Sequence, residues 1–342
     1  METQRPKICF DRVLPRDLMQ HQLTMSTAGR MRAIAINGKK WMNGITLRVR
    51  FMGGTASQYK IVKEEAEWWT KVANLKFDFN NAPAAEIRIT FDETDGAWSY
   101  IGTDCQSIPL NQATMNLGFL DPGTAAHEFG HAIGLAHEHQ NPAGGIQWNE
   151  AVVISEVAKA PNYWDEETAR HNILSKYSVD QITGTKFDPD SIMLYYFPPE
   201  WTLNGIGTKA NTVLSTLDKQ FISGAMMYPK TAPTVDEAVE LEVNARRRTA
   251  ASIGKFGEED LFTFAVEESG RHVIDTKGPT DVIMKLFGPD SKTQLITQDD
   301  DSGFRHNARI ASNLIKGRYY VQIHHFNLTN GTGKYSVKVH HS

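Results

Sequence analysis

The sequence contains little cysteine and no long apolar run. Its 342 residues include two cysteines, Cys9 and Cys105. Two thiols cannot build a disulfide-stapled scaffold, and they leave the redox compartment open. No apolar run approaches the roughly 20 residues that span a bilayer. The first residues also lack the apolar segment of a signal peptide. We therefore expect no membrane span and no signal peptide in this chain, so an intracellular location is not excluded.

The sequence also lacks a strong excess of charge of one sign. Charged residues make up 22% of the chain, and the net charge is −4. A nucleic-acid or anionic-membrane partner would favour a strongly basic surface, so neither partner is expected. The length is too great for one typical core and fits two domains.

Hydrophobic patterning divides the chain at a linker over residues 230–237. Before it, alternating residues from Ile45 to Phe51, a helix over 56–73 and further alternating runs near 75–79 and 87–91 predict a sheet backed by a helix. After it, short alternating runs with turns predict an antiparallel β-sandwich. The predicted fold class is α+β followed by all-β. The expected segments are 1–32, 33–229, 230–237 and 238–342.

The middle of the chain supplies the elements around the principal motif. Residues 114–119 form a candidate strand, either the exposed edge of the sheet or a buried strand. Asp121 and Pro122 resemble an N-cap and a first-turn proline, which predicts a helix starting there. Further helices are expected over 150–159, 166–176 and 216–227.

The principal motif is a histidine pair on that helix. His127 and His131 are four residues apart, so they lie on one face, one turn apart. Two imidazoles in this arrangement can bind one zinc ion, and Glu128 can reach a water on that ion. His137 can supply a third ligand if the chain turns back after the helix. Gly134 lies where the turn must occur, and glycine tolerates the left-handed conformation that ends helices.

His-Glu-Phe-Gly-His-Ala-Ile-Gly-Leu-Ala-His, from His127 to His137, resembles the signature of the metzincin zinc peptidases. Ser191-Ile192-Met193-Leu194-Tyr195 resembles the methionine turn of that clan. Glu138 and the form of the turn are most similar to the astacin-type branch. The resemblance covers residues 33–229. Leu194 departs from the histidine that is usual in astacins, and the astacin cysteine framework is absent. These departures favour a bacterial-type, astacin-like or matrixin-like relative.

The resemblance implies a metzincin (zincin-like) domain with a mixed sheet and a zinc helix. It implies a secreted zinc metalloendopeptidase that acts on protein or peptide substrates, and a monomer is expected. His127, His131 and His137 would bind zinc, and Glu128 would be the general base and proton shuttle. Tyr195 would be a switchable ligand that stabilises the oxyanion, although a core tyrosine is the alternative. Met193 would pack beneath the metal, and residues 196–199 would wall a substrate pocket.

Residues 1–32 are interpreted as a pro-like segment. Metzincins are often made as inactive precursors, and one inhibition device places a cysteine thiolate on the open zinc position. Cys9 is a candidate for that ligand. The alternatives are a buried thiol or a disulfide with Cys105. A related hypothesis is that cleavage after Arg32 exposes the Ala33 amine, which would pair with Glu138. A simple helix-end carboxylate is the alternative for Glu138.

Residues 238–342 resemble the prepeptidase C-terminal (PPC) domain, through Gly257–Phe262, Asp299–Gly303 and Gly317–Val321. Asp299, Asp300 and Asp301 could bind Ca²⁺, or they could form a solvated acidic turn. Two functions are therefore expected. The first is an active zinc endopeptidase. The second is a catalytically silent surface-binding protein that uses the sandwich, or an inhibited precursor.

Overall fold

The computed structural model describes residues 9–12, 39–159, 162–176, 186–194 and 196–342. The N-terminal part is built on one six-stranded sheet. Its strands are β1 (Phe10–Asp11), β2 (Thr46–Phe51), β3 (Lys76–Asp78), β4 (Ile87–Thr90), β5 (Ala97–Ser99) and β6 (Met115–Leu117). The strand order is β1-β5-β6-β4-β2-β3. Strands β5 and β6 are antiparallel, and the other neighbours are parallel. This mixed sheet confirms the predicted fold class.

The described helices of this part are shorter than the sequence patterns predict. They are α1 (Ala56–Thr70), α2 (Thr124–Ala132), α3 (Glu150–Val157), α4 (Glu166–Ala169) and α5 (Thr216–Ile222). The helix predicted over 166–176 changes after α4 into a π turn, Arg170–Leu174. No described helix is long and apolar enough to cross a membrane.

Helices α1 and α2 pack on the sheet over one apolar core. Val62, Ala66 and Trp69 are buried on one face of α1, as their spacing predicts. Capping by Thr55 and Gln58 fixes the start of α1. Trp69 joins the two helices, because its indole N–H donates to the Ala126 carbonyl of α2 at 2.7 Å. The helix that bears the histidine motif is therefore held by α1.

The structure decides two expectations about the approach to α2. Strand β6 lies between β4 and β5 and is buried, so of the two alternatives for residues 114–119 the buried strand is confirmed and the exposed edge is wrong. Residues 92–112 contain β5, which pairs with β6 and so covers the edge that β6 would otherwise expose. Helix α2 does not begin at an Asp121 cap. Its N-cap is Gly123, with φ +90°, and Gly123 makes no side-chain cap bond.

The C-terminal part is the predicted β-sandwich, with sheets of four and five strands. Its strands are β7 (Val239–Glu240), β8 (Thr249–Ile253), β9 (Glu259–Val266), β10 (Gly270–Lys277), β11 (Val282–Phe287), β12 (Leu295–Asp299), β13 (Arg309–Leu314), β14 (Gly317–His325) and β15 (Gly333–His341). The orders are β13-β10-β15-β8 and β12-β11-β14-β9-β7. All neighbours are antiparallel except β7 and β9.

The segment predicted as a linker is fixed against the N-terminal part. The Asn43 amide donates to the carbonyls of Pro229, Ala232 and Pro233 at 3.1, 3.3 and 3.0 Å. The Asn43 backbone N–H also donates to the carboxylate of Glu259 in β9 at 2.6 Å. These bonds couple the sandwich to the first sheet.

Candidate metal centre

Helix α2 carries His127, Glu128 and His131, and a glycine turn at its end brings in the third histidine. Gly134 has φ +101°. The Gly134 N–H donates to the His131 carbonyl at 2.8 Å, and the Leu135 N–H donates to the Gly130 carbonyl at 3.0 Å. This paired bonding ends the helix with a left-handed residue. The chain then turns back, and His137 reaches the other two histidines.

The three imidazoles meet at their Nε2 atoms. Those of His127 and His137 are 3.2 Å apart, those of His131 and His127 are 3.1 Å apart, and those of His131 and His137 are 2.9 Å apart. Two nitrogens on one tetrahedral zinc ion at about 2.0–2.1 Å would be separated by ~3.4 Å. The spacing therefore fits one shared cation.

The hydrogen bonds of the Nδ1 atoms show which ring nitrogens direct a lone pair towards the centre. His127 Nδ1 lies 2.7 Å from the Ile192 carbonyl, and His131 Nδ1 lies 2.9 Å from the Leu135 carbonyl. Because a carbonyl only accepts, each Nδ1 carries the proton, and each Nε2 of a neutral ring presents a lone pair. Lone pairs that converge repel one another unless a cation lies between them. The donor set fits zinc.

Cys9 is the fourth potential ligand at this centre. Its Sγ and the three histidine nitrogens all lie within 4.8 Å of one another. Cys9 Sγ is 4.0 Å from His137 Nε2 and 2.5 Å from Glu128 Oε1. Glu128 is fully buried, so the thiol covers the carboxylate that the sequence identifies as the base. Cys105 lies elsewhere, in the apolar core, where burial raises the pKa of its thiol. The disulfide alternative is therefore wrong.

The methionine turn supports the centre from below. The Ile192 carbonyl orients His127, and the Met193 carbonyl accepts the Glu138 N–H at 2.9 Å. Met193 is buried, and a Cβ added at Gly130 would lie 2.4 Å from its Sδ. The glycine inside the histidine motif is therefore required by the close approach of the methionine side chain.

Asp218, a residue that the sequence interpretation missed, fixes this turn. Its carboxylate accepts from Ser191 Oγ at 2.7 Å and from the Ile192 N–H at 2.8 Å. It also accepts from the Ser215 N–H at 2.9 Å, which completes a capping box at the start of α5. The Ser-x-x-Asp spacing could have revealed the cap, but it carries no sign of the contact with the turn.

Glu65, also missed, caps the helix that bears the histidines. It lies on α1 and is 7% exposed. Its carboxylate accepts from the Gly123 N–H at 2.9 Å and from the Ala126 N–H at 3.1 Å. An anion at a helix N-terminus satisfies unpaired N–H groups and interacts favourably with the helix dipole. Glu65 therefore does the capping that the sequence assigned to Asp121.

Glu138 follows the third histidine and begins a short 3₁₀ turn. Its Oε1 accepts from the Asp188 N–H at 2.9 Å and from the Asn141 amide at 3.0 Å. Burial raises the pKa of Glu138 to about 7. Ala33, its hypothetical partner after cleavage, lies outside the described residues, as does Tyr195.

The residues around Cys9 lie along the sheet edge. Phe10 pairs with Trp98 and Asp11 with Ser99, so β1 runs parallel to β5. Arg12 then reaches Asp95, with an N···O distance of 3.2 Å. Residues 9–12 thus extend from the histidine cluster along the strand that would otherwise be the edge.

Two other predicted sites are placed by the structure. Phe197 packs on Trp148, with a ring separation of 4.8 Å, and lines a cavity with Phe187 and Ile206. In the acidic turn, Asp299 accepts from the N–H groups of Ser302 at 3.1 Å and Arg309 at 2.7 Å. These bonds are those of a turn, and a Ca²⁺ site there stays a prediction.

Several known proteins resemble this chain over the part that holds the metal centre. The family model of the astacin peptidases matches residues 34–221. A solved structure of myroilysin is 38% identical, covers 58% of this chain and 98% of that chain, and has a TM-score of 0.54. The zinc metalloproteinase nas-30 of Caenorhabditis elegans is 29% identical over 114 residues, which are 33% of this chain and 15% of that protein.

The chain spans less than a quarter of the length of the curated relatives that it matches. For the C-terminal part, a pre-peptidase C-terminal domain of a Bacillus anthracis collagenase covers 30% of this chain and 94% of that chain. Its identity is 19% and its TM-score is 0.26. The assignment of residues 238–342 to that domain type stays a prediction.

Proposed function

The chain belongs to the astacin family of peptidases, and from this premise we propose that it is a zinc-dependent endopeptidase that hydrolyses peptide bonds in proteins or peptides. The observation that carries the proposal is the convergence of three Nε2 atoms within 3.2 Å of one another. His127, His131 and His137 are the proposed zinc ligands. The clan signature and the methionine turn support the same conclusion.

The proposed reaction is attack of water on the scissile carbonyl. Zinc supplies Lewis acidity, which lowers the pKa of water to about 7 and polarises a carbonyl oxygen. Glu128 takes the proton of the attacking water and delivers it to the leaving amine. Its position beside His127 on α2 gives it reach to the ligand cluster. Tyr195, as in the family, would donate a hydrogen bond to the developing oxyanion.

The second candidate function is an inhibited precursor, which the position of Cys9 favours. A thiol that lies against both Glu128 and His137 occupies the space that water and substrate need. We infer that residues 1–32 are a pro-like segment and that Cys9 closes the fourth zinc position. Residues 33–229 are then the peptidase domain, residues 230–237 the connection, and residues 238–342 the PPC-like domain that engages a surface or substrate.

Hydrolysis of casein and of a quenched fluorescent peptide library by the full chain tests the reaction. We expect Cys9→Ala to raise the activity, because it uncovers Glu128. In that background, Glu128→Gln should lower kcat about 10²–10⁴-fold, since general base catalysis contributes that range. Equal activity with and without Glu128 would refute the mechanism. No hydrolysis by Cys9→Ala would favour the silent binding function or a precursor that the rest of the N-terminal segment still inhibits.

X-ray absorption of the zinc-loaded full chain tests the role of Cys9 separately. One sulfur at about 2.3 Å should accompany the nitrogen ligands and disappear in Cys9→Ala. Coordination by nitrogen and oxygen alone in the unmodified chain would exclude the proposed closure. N-terminal sequencing of fully active enzyme tests cleavage before Ala33, and an intact Met1 would contradict it.

A further inference from the structure

Arg12 occupies a specific site on the sheet edge, three residues along the chain from Cys9. Its guanidinium carbon lies 4.0 Å from the centroid of the Trp98 ring. Its NH2 group lies 3.4 and 3.2 Å from the two oxygens of Asp95. Burial raises the pKa of Tyr100, and the positive charge of Arg12 opposes that rise, so Tyr100 is near the same cation. The cation therefore has an aromatic face and a carboxylate as partners.

The site belongs to the peptidase sheet rather than to the N-terminal segment. The Trp98 indole N–H donates to Asp95 Oδ2 at 2.9 Å and so fixes the carboxylate beside the ring. The Asp95 N–H donates to the Asp92 carbonyl at 3.2 Å, which closes the turn before β5. Trp98 and Tyr100 pack edge to face, with centroids 5.9 Å apart. None of these contacts involves Arg12, so the residues that hold the carboxylate beside the ring belong to the sheet itself.

We propose that Asp95 and Trp98 form a substrate subsite for a cationic side chain, and that Arg12 fills it in the inhibited chain. This inference rests on the proposed peptidase function. An indole face attracts a guanidinium through its quadrupole, and the adjacent carboxylate adds charge pairing. Arginine fits better than lysine, because a planar guanidinium both stacks and hydrogen-bonds. The preferred substrates are peptides with arginine at this position.

The distance from the metal centre defines the position in the substrate. Cys9 lies at the centre and Arg12 is three residues further along an extended segment, which corresponds to roughly 10 Å. Phe10 is the residue paired with Trp98, and the Arg12 side chain reaches the indole from two residues beyond that pair, so a substrate residue three positions from the scissile bond is the one we expect to reach the site. A substrate that runs parallel to β5, as β1 does, would present the third residue on the C-terminal side of the scissile bond. A substrate that runs antiparallel to β5 would present it on the N-terminal side, so the test includes both sides.

The test uses the full chain with Cys9→Ala and Arg12→Ala, which removes the arginine from the site, and the substrate then has to displace β1 from β5. Peptides that differ only by arginine, citrulline or alanine at the third position on either side of the bond serve as substrates. Citrulline keeps the shape of arginine but lacks its charge. We expect kcat/KM to be roughly five- to twentyfold higher for arginine than for citrulline on one side, given the usual strength of partly exposed ion pairs and cation–π contacts.

Asp95→Asn should reduce that ratio to about two- to fivefold, because it removes the ion pair and leaves the cation–π contact with Trp98. The exposed Glu93→Gln in the same turn is the matched control and should leave the ratio unchanged. No arginine preference on either side, or a preference that Asp95→Asn leaves undiminished, would overturn the subsite. If no variant cleaves any peptide, the proposed function fails instead. Calorimetric binding of the same arginine and citrulline peptides then tests the subsite without turnover, against the same two outcomes.

Discussion

Replacing Glu65 by glutamine should loosen the helix that carries the proposed zinc ligands. The carboxylate accepts two backbone N–H groups at the start of α2, from Gly123 and Ala126. Glutamine has nearly the same shape but one acceptor oxygen, and its amide group would face an N–H group. The site would then contain two opposed donors in a buried position, and the negative charge at the helix N-terminus would be lost.

The expected cost follows from these two losses. One hydrogen bond to a charged group contributes about 1.5–3 kcal/mol. A charge at a helix terminus contributes about 0.3–1 kcal/mol, and more when partly buried. The free energy of unfolding should therefore fall by about 2–4 kcal/mol, which lowers the Tm of the peptidase domain by roughly 5–15 °C.

Thermal unfolding of the full chain followed by tryptophan fluorescence measures this effect. All seven tryptophans precede residue 230, so the signal reports on the peptidase domain and not on the sandwich. Glu64→Gln is the matched control, because Glu64 is on the same helix with its side chain 63% exposed. We expect it to change the free energy by less than about 0.5 kcal/mol. A Glu65→Gln protein that unfolds at the temperature of the control would show that this carboxylate does not support α2.

Two further predictions concern packing and pH. Gly130→Ala should cost about 1–3 kcal/mol, because the added Cβ would meet Met193 Sδ at 2.4 Å. In a double variant that also carries Met193→Ala, the Gly130→Ala substitution should cost less than it does alone. If the Tm changes of the two single variants simply add in the double variant, the contact is refuted. Asp260 has its pKa raised by burial to about 6, against an ordinary value of 3.8, while Tyr335 donates to it at 2.7 Å. Because the folded pKa is raised, the stability present below pH 4 is lost as pH rises through 6, by about 1–3 kcal/mol. Asp260→Asn should remove that part of the pH dependence, and urea unfolding at pH 4 and pH 7.5 measures it. An unchanged difference between the two pH values would contradict the assignment.

The metal centre could be predicted from the sequence because its geometry is local. The spacing of His127 and His131 follows from the helical period, and the turn that returns His137 follows from the tolerance of Gly134 for positive φ. Both features involve residues within one helix and its end. No pairing between distant segments is needed to state them.

The capping of α2 by Glu65 could not be predicted in the same way, although the sequence contains one indication of it. Glu65 follows Val62 by three residues and precedes Trp69 by four, so it lies on the buried face of α1. A carboxylate on such a face needs a partner, because burial of an unpaired charge is costly. Its partner, the Gly123 N–H, belongs to another helix start, and helical periodicity does not specify which one.

The sequence left the edge of the sheet undecided for a related reason. Alternation over residues 114–119 specifies a strand but not its neighbours. Strand β5 has three residues, Ala97–Ser99, inside a polar connection, and it is short enough to escape the pattern. Its pairing with β6 places it, rather than β6, next to β1.

The position of β5 at the edge indicates how a short segment could produce the proposed inhibition. Cys9 contacts Glu128 and Arg12 contacts Asp95, and the two residues flank β1, which pairs with β5. In the intact chain these contacts form intramolecularly, so the segment does not have to bind from solution. Cutting the connection leaves the contacts unchanged but makes the segment a separate ligand at its bulk concentration. A substrate with an arginine at the Asp95 site could then displace it.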